Sequence, residues 1–252
     1  MINFICAKTD SDAGIIAAGI MADVIKENPT ALIGLATGST PVGMYNELIR
    51  MYRLGEISFD KVRSVNLDEY IGLSPDHNQS YASFMNQNLF NHINIQRQNI
   101  HIPSGVTDDP YEECSNYDRL LDRLGRVDIQ LLGIGHNGHI AFNEPDTHFP
   151  KDTTLVSLTS STISANSRFF ATRDEVPTQA ISMGIGRILR AKRILLLALG
   201  EGKADILEKA LFGKITPRIP ASILQFYQGE LTVVGDEGAF SSIKEKHTAV
   251  KK

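Results

Sequence analysis

Apolar residues along this chain fall into short blocks separated by longer stretches in which they recur at helical spacing. INFICA (2–7), ALIGLA (31–36), VRSVNLDEY (62–70), VDIQLL (127–132), RILLLALG (193–200) and LTVVGD (231–236) read as strands, rich in branched aliphatics and bounded by turn formers. AGIIAAGIMADVIKE, PVGMYNELIRMYRLG, YASFMNQNLFNHI and GKADILEKALFG lie between them and read as helices. The alternation predicts βαβ units: a doubly wound, Rossmann-like α/β fold with a mainly parallel sheet flanked by helices. No repeat, low-complexity tract or Pro/Ser-rich linker divides the chain, so a single domain over 1–252 is expected, with a polar tail from about residue 240.

In open parallel sheets ligands bind beyond the carboxyl ends of the strands, so polar clusters that follow strands should converge. ALIGLA runs into TGSTP, SVNL into Asp68-Glu69-Tyr70, IQLLGIG into HNGH, and ILLLALG into Glu201-Gly202-Lys203. Together these clusters carry an anion-type loop, a carboxylate, imidazoles with an amide, and an ammonium, which is the inventory of a small-molecule active site.

Gly133-Ile134-Gly135-His136-Asn137-Gly138 spells the G-x-G-x-x-G of dinucleotide-binding loops after a credible strand. The rest of that fingerprint is missing. Pro145 and Pro150 forbid the long helix that should follow, and the region near Leu158, where a ribose-binding carboxylate belongs, reads TTLVSLTSST. The loop therefore presents something other than a pyrophosphate.

Composition removes several classes of function. A net charge of −4, with only KEKHTAVKK as a basic run, argues against nucleic acid. Cys6 and Cys114 form neither a CxxC pair nor a secreted framework, so reduced thiols in the cytoplasm are expected. Nothing resembles a signal peptide, and no apolar run reaches the roughly 20 residues of a membrane span, so no membrane partner is expected.

Each polar cluster carries a plain structural reading beside a chemical one. Thr37, Gly38, Ser39 and Thr40 before Pro41 place free backbone N–H groups and hydroxyls at a helix start, which suits an anion, or equally a simple N-cap. No Gly-Lys-Ser/Thr follows, so this is not a P-loop. Asp68 and Glu69 are either a strand-end turn or a pair in which one carboxylate faces the pocket while the other turns inward. His136 and His139, with Glu144 as a third group, fit a metal chelate, loop filling, or acid/base chemistry in which Asn137 and Glu144 orient one imidazole. Arg168, flanked by Phe169 and Phe170, and Lys203, at a strand end, are surface cations or phosphate ligands.

LATGSTPVGMY, NLDEYIGL, GIGHNGHIAFNEP, ANSRFF and LGEGKA, in this order from about residue 30 to about 235, resemble the glucosamine-6-phosphate deaminases of the glucosamine/galactosamine-6-phosphate isomerase family. The resemblance implies conversion of glucosamine 6-phosphate to fructose 6-phosphate and ammonia in amino-sugar catabolism, without metal, nicotinamide or pyridoxal. It implies that Asp68 carries the proton between C2 and C1. His139 would assist ring opening, supported by Glu144 and Asn137, while Thr37, Gly38, Ser39, Thr40, Arg168 and Lys203 would hold the phosphate. Many relatives have Asp where Asn137 stands, and an amide hydrogen-bonds without sharing a proton.

Allosteric hexamers of the family bind N-acetylglucosamine 6-phosphate through basic residues after F-N-E-P. Here Thr154 and Val156 occupy the aligned positions, with only Lys151 nearby, so weak or absent activation is expected. A homo-oligomer remains open, although losing that site weakens the case for a hexamer. A 6-phosphogluconolactonase on a similar fold is the competing enzyme, and it would not need Asp68 as a carbon-acid base. A non-catalytic sugar-phosphate sensor would need a DNA-binding segment, for which the sequence ahead of the first strand leaves no room. Residues 145–175, polar and rich in Ser and Thr, are the expected mobile lid.

Overall fold

The computed structural model describes residues 2–247, and the apolar blocks become its strands. These are β1 (Ile2–Ala7), β2 (Leu32–Leu35), β3 (Arg63–Asn66), β4 (Asp68–Tyr70), β5 (Ile100–His101), β6 (Ile129–Leu132), β7 (Thr154–Ser157), β8 (Gln179–Ser182), β9 (Arg193–Ala198) and β10 (Glu230–Asp236). The helices are α1 (Asp10–Glu27), α2 (Val42–Arg53), α3 (Tyr81–Asn88), α4 (Pro110–Leu124), α5 (Ser160–Asn166), α6 (Ile185–Ile188), α7 (Ala204–Phe212) and α8 (Ser241–Lys246).

Seven strands form one sheet in the order β1-β10-β9-β6-β2-β3-β5, and every pair in it is parallel. Such a sheet is covered on both faces, which explains why β9 reads as an unbroken apolar run, buried from Ile194 to Ala198. The chain winds outward from β2 through β3 to β5, returns to β6, and winds the other way through β9 to β10. The direction reverses between β2 and β6, so the loops after these two strands, Thr37–Thr40 and Gly133–His139, diverge around a crevice.

Beside this sheet stands a smaller antiparallel one, ordered β4-β8-β7. The stretch expected as one strand over 62–70 is in fact two. β3 ends at Asn66, and at Leu67 the chain leaves the parallel sheet, the Leu67 carbonyl accepting from Met183 N at 2.7 Å. β4 then pairs with β8, so that Asp68 emerges where the sheets meet. The small sheet has its own apolar cluster of Tyr70, Phe142, Leu158 and Ala180. Its far edge is tied down by charge: Arg187 of α6 pairs with Asp118 at 3.1 Å and Asp152 at 3.0 Å, and Asp118 accepts from Thr153 just before β7.

Two elements depart from the sequence reading. α4 has strong end signals, with Asp109 accepting from Tyr111 N and Glu112 N ahead of Pro110, and Gly125 at φ +90° closing it. Its buried face is only Cys114, Tyr117, Asp118 and Leu121, too polar to stand out as a periodic stripe. The expected polar tail from 240 starts instead as structure. Phe240 is fully buried edge-on to Phe4 with centroids 6.0 Å apart, Ile243 of α8 is buried, and His247 stacks on Phe212 at 4.0 Å. These contacts cover apolar surface on β1 and α7 that a solvated tail would leave wet. Residues 248–252 of that expected tail lie outside the described residues. Among the described residues no helix is long and apolar enough to cross a membrane.

Candidate active site

Thr37, Gly38, Ser39, Thr40, Asp68, Asn137, His139, Arg168 and Lys203 all line one cavity of about 980 Å³ at the carboxyl ends of the strands. Glu144 lies behind its wall, in contact with two of these residues.

At one end the chain passes from β2 into the Thr37–Thr40 loop, where Gly38 takes φ +98°. The alternative of simple capping fails here, because no side chain makes a capping hydrogen bond at the start of α2. The Thr37 side chain hydrogen-bonds to Tyr81, and the loop N–H groups with the Ser39 and Thr40 hydroxyls are left for a ligand. Lys203, at the end of the turn after β9, donates from Nζ to the Ile134 carbonyl at 2.8 Å. Burial, and then the charge of Arg168, lower its pKa to about 8. Arg168 is exposed and lines the same end, while Phe170 packs edge-on to Tyr70 at 6.1 Å; the expected packing of the Phe169 side chain lies outside what is described.

At the junction of the two sheets, adjacent carboxylates part ways as alternation along a strand requires. Glu69 turns inward and accepts from Tyr70 N, Tyr81 N and Ala82 N at 2.8, 2.9 and 2.9 Å, which fixes the first turn of α3. Asp68 turns to the cavity at 6 % exposure. Tyr81 and Phe142, stacked at 5.8 Å, line the cavity with it. Burial, reinforced by the neighbouring Glu69, pushes the Asp68 carboxyl up to about 8.

The glycine loop after β6 is built around an imidazole. A Cβ on Gly135 would fall 2.3 Å from Nε2 of His139, so this glycine makes room for the ring. Gly138 takes φ +85° to turn the chain back. The ring's Nδ1 lies 3.5 Å from Glu144 Oε2, to which Asn137 Nδ2 donates at 2.6 Å. Asn137 Oδ1 also accepts from His139 N at 3.1 Å. Burial alone would raise the Glu144 carboxyl, but the neighbouring His139 imidazole and hydrogen bonds from Thr162 and Asn137 outweigh it and hold it below its usual range. Thr162 of α5, which donates to Glu144 Oε1, was not legible in the sequence; its only sign is the Ser/Thr-rich run around it. Asn166 of α5, donating to the Tyr70 hydroxyl at 2.8 Å, was equally hidden. Among the described residues no three His, Cys, Asp or Glu side chains are grouped so as to hold a metal ion.

A parallel sheet with its cavity at the winding reversal, an anion-type loop, a buried carboxylate and a carboxylate-backed histidine define the site of an α/β enzyme equipped for acid/base chemistry. The family of glucosamine-6-phosphate isomerases/6-phosphogluconolactonase matches residues 12–233, and the chain belongs to it. A glucosamine-6-phosphate deaminase of Lachnoclostridium phytofermentans is 55 % identical over 228 residues, covering 90 % of this chain and 96 % of that one. One from Clostridioides difficile is 51 % identical over 230 residues, covering 91 % and 92 %. A solved monomeric glucosamine-6-phosphate deaminase superposes with TM-score 0.93 at 47 % identity, covering 95 % of this chain and 99 % of that one. The 6-phosphogluconolactonase of Trypanosoma brucei shares the fold, with TM-score 0.77 at 16 % identity.

Proposed function

We propose that this chain is an enzyme that converts glucosamine 6-phosphate and water to fructose 6-phosphate and ammonia. The observation that carries the reading is the position of Asp68, a buried carboxylate facing the same cavity as the Glu144-backed His139. The phosphate sits against the Thr37–Thr40 loop, Arg168 and Lys203, far from the reacting carbons, so its binding energy is available for orientation. His139 takes the O1 proton of the closed sugar and returns one to the ring oxygen, while Glu144 and Asn137 fix its ring.

Once C1 is a carbonyl, the C2 hydrogen is acidic, and Asp68 carries it from C2 to C1. A carboxyl that burial has pushed to about 8 is a stronger base than an exposed one, and the substrate's 2-ammonium supplies the counter-charge that ionises it. The C2 iminium that results takes up water and releases ammonia. Nothing in this sequence of proton transfers calls for a metal or organic cofactor.

The chain acts as a single α/β domain, a reading supported by one apolar cluster that extends from Ala7 to Ile243. The solved relative is monomeric, which supports a monomer over the homo-oligomer left open by the sequence. The free thiols of Cys6 and Cys114 favour a reducing compartment, the cytoplasm. Assaying purified, chelator-treated protein for ammonia and fructose 6-phosphate tests the reaction. Equimolar products are expected; lactone hydrolysis without ammonia would refute the deaminase in favour of 6-phosphogluconolactonase.

A further inference from the structure

His136 stands in the glycine loop but takes no part in the Asn137, Glu144 and His139 hydrogen bonding. It is exposed and lines the cavity together with Gly202, Lys203 and Arg168. Its ring lies against Gly202, where a Cβ would come within 3.5 Å of Cε1. The imidazole thus packs at van der Waals distance from the turn that ends in Lys203.

We propose that His136 is an additional phosphate-binding side chain, completing with Lys203 and Arg168 a cationic wall opposite the Thr37–Thr40 loop. This rests on the sugar-phosphate reading of the cavity given above. The groups that face His136 are Lys203 and the Gly202 backbone from the turn after β9, Arg168 from the turn after α5, and His139 from its own loop. Lys203 first, then burial, and to a lesser degree His139 and Arg168 hold the imidazole below its ordinary value, against a hydrogen bond to Gly202 that favours the cation. In the free protein near neutral pH the ring is therefore mainly neutral. A sugar phosphate carries nearly two negative charges there and offsets the repulsion from Lys203 and Arg168. The ring then gains a proton as the anion binds. Its contribution to binding is complete at low pH and fades as the pH rises past the value of the occupied site.

Calorimetric titration of the full-length protein with inorganic phosphate tests this without turnover. His136→Asn is expected to weaken phosphate binding by about threefold to tenfold at pH 6.5, with the difference gone by pH 8.5. Wild-type binding should take up more protons than the variant when measured in two buffers of different ionisation enthalpy. His136→Lys should restore affinity at pH 6.5 and keep it at pH 8.5. In steady state the same His136→Asn change should raise KM for glucosamine 6-phosphate in parallel, moving KM far more than kcat. Equal phosphate affinity and proton uptake in wild type and His136→Asn would overturn the proposal, as would a loss that does not depend on pH. Ammonia release that persists alongside unchanged phosphate affinity would remove His136 and leave the deaminase. Intact His136-dependent phosphate binding without ammonia would do the reverse.

Discussion

In one part of the cavity the like charges of Lys203 and Arg168 lie close together; in another a carboxylate, Asp68, is buried beside aromatic rings and a second carboxylate. The two regions have opposite electrostatic demands: burial and the charge of Arg168 destabilise the Lys203 ammonium, while burial and Glu69 destabilise the Asp68 carboxylate. A substrate with phosphate at one terminus and ammonium near the other relieves both at once. On the proposed reading the lesson is that the site selects for a zwitterion by setting cations and a carboxylate in different parts of one cavity.

The strongest way to break this comparison is Asp68→Asn, which keeps shape and removes the base. Turnover should fall about 10³-fold with KM little changed, read as ammonia released; substantial residual activity would take proton transfer away from this end. Lys203→Met should act at the other end, raising KM about 30-fold with a much smaller effect on kcat.

The roles proposed for Asp68 and Lys203 also predict a pH profile. Asp68 works as a carboxylate and is raised to about 8, so kcat/KM should climb as pH rises toward that value. Lys203 works as an ammonium and is lowered to about 8, so kcat/KM should fall above it, giving a narrow bell centred near 8. Lys203→Arg should remove the alkaline limb, since a guanidinium keeps its proton; an unmoved alkaline limb would assign it to another group.

The smallest expected effects are on stability, and they set Asp68 against its neighbour. The folded protein holds the Asp68 proton up to about 8, whereas the unfolded chain releases it near 3.8. The folded state is thus penalised progressively as pH rises from the lower value to the higher. Asp68→Asn should therefore raise the unfolding midpoint at pH 8 by about 3–6 °C even as it abolishes turnover. Glu69→Gln should do the opposite, costing about 2 kcal/mol in a denaturant titration, because the three N–H groups that Glu69 accepts lose a charged partner.

Legibility in the sequence followed the same division of the molecule. β9 and β10 begin or end where their apolar runs do, because a parallel strand buried on both faces is apolar over most of its length; the edge strand β1 matches its run as well although only Ala7 of it is buried. Every residue expected at the cation end sits directly after such a strand or in the ANSRFF stretch, and all of them reach the cavity. The small sheet was hidden. β7 and β8 are four residues each, and Thr154, Leu155 and Val156 are only partly buried, so no period stood out. The break at Leu67 was invisible because no Gly or Pro marks it and the chain stays buried from Ser64 to Tyr70 while the backbone changes sheets. Thr162 and Asn166 were missed for a related reason. They act through tertiary contacts with Glu144 and Tyr70, and local pattern carries no trace of those.

Gly135 and His139 have an evolutionary consequence. The space that a side chain at 135 would need is filled by the imidazole ring. A mutational walk that adds even a methyl group at 135 must first pass through a displaced or lost histidine, which under the proposed mechanism is a form that cannot open its substrate's ring. The two positions are bound to vary together or not at all. The resemblance of this loop to a nucleotide fingerprint is thus a convergence of spacing: here the glycine is retained for a ring supplied by the protein itself, four residues further along its own chain.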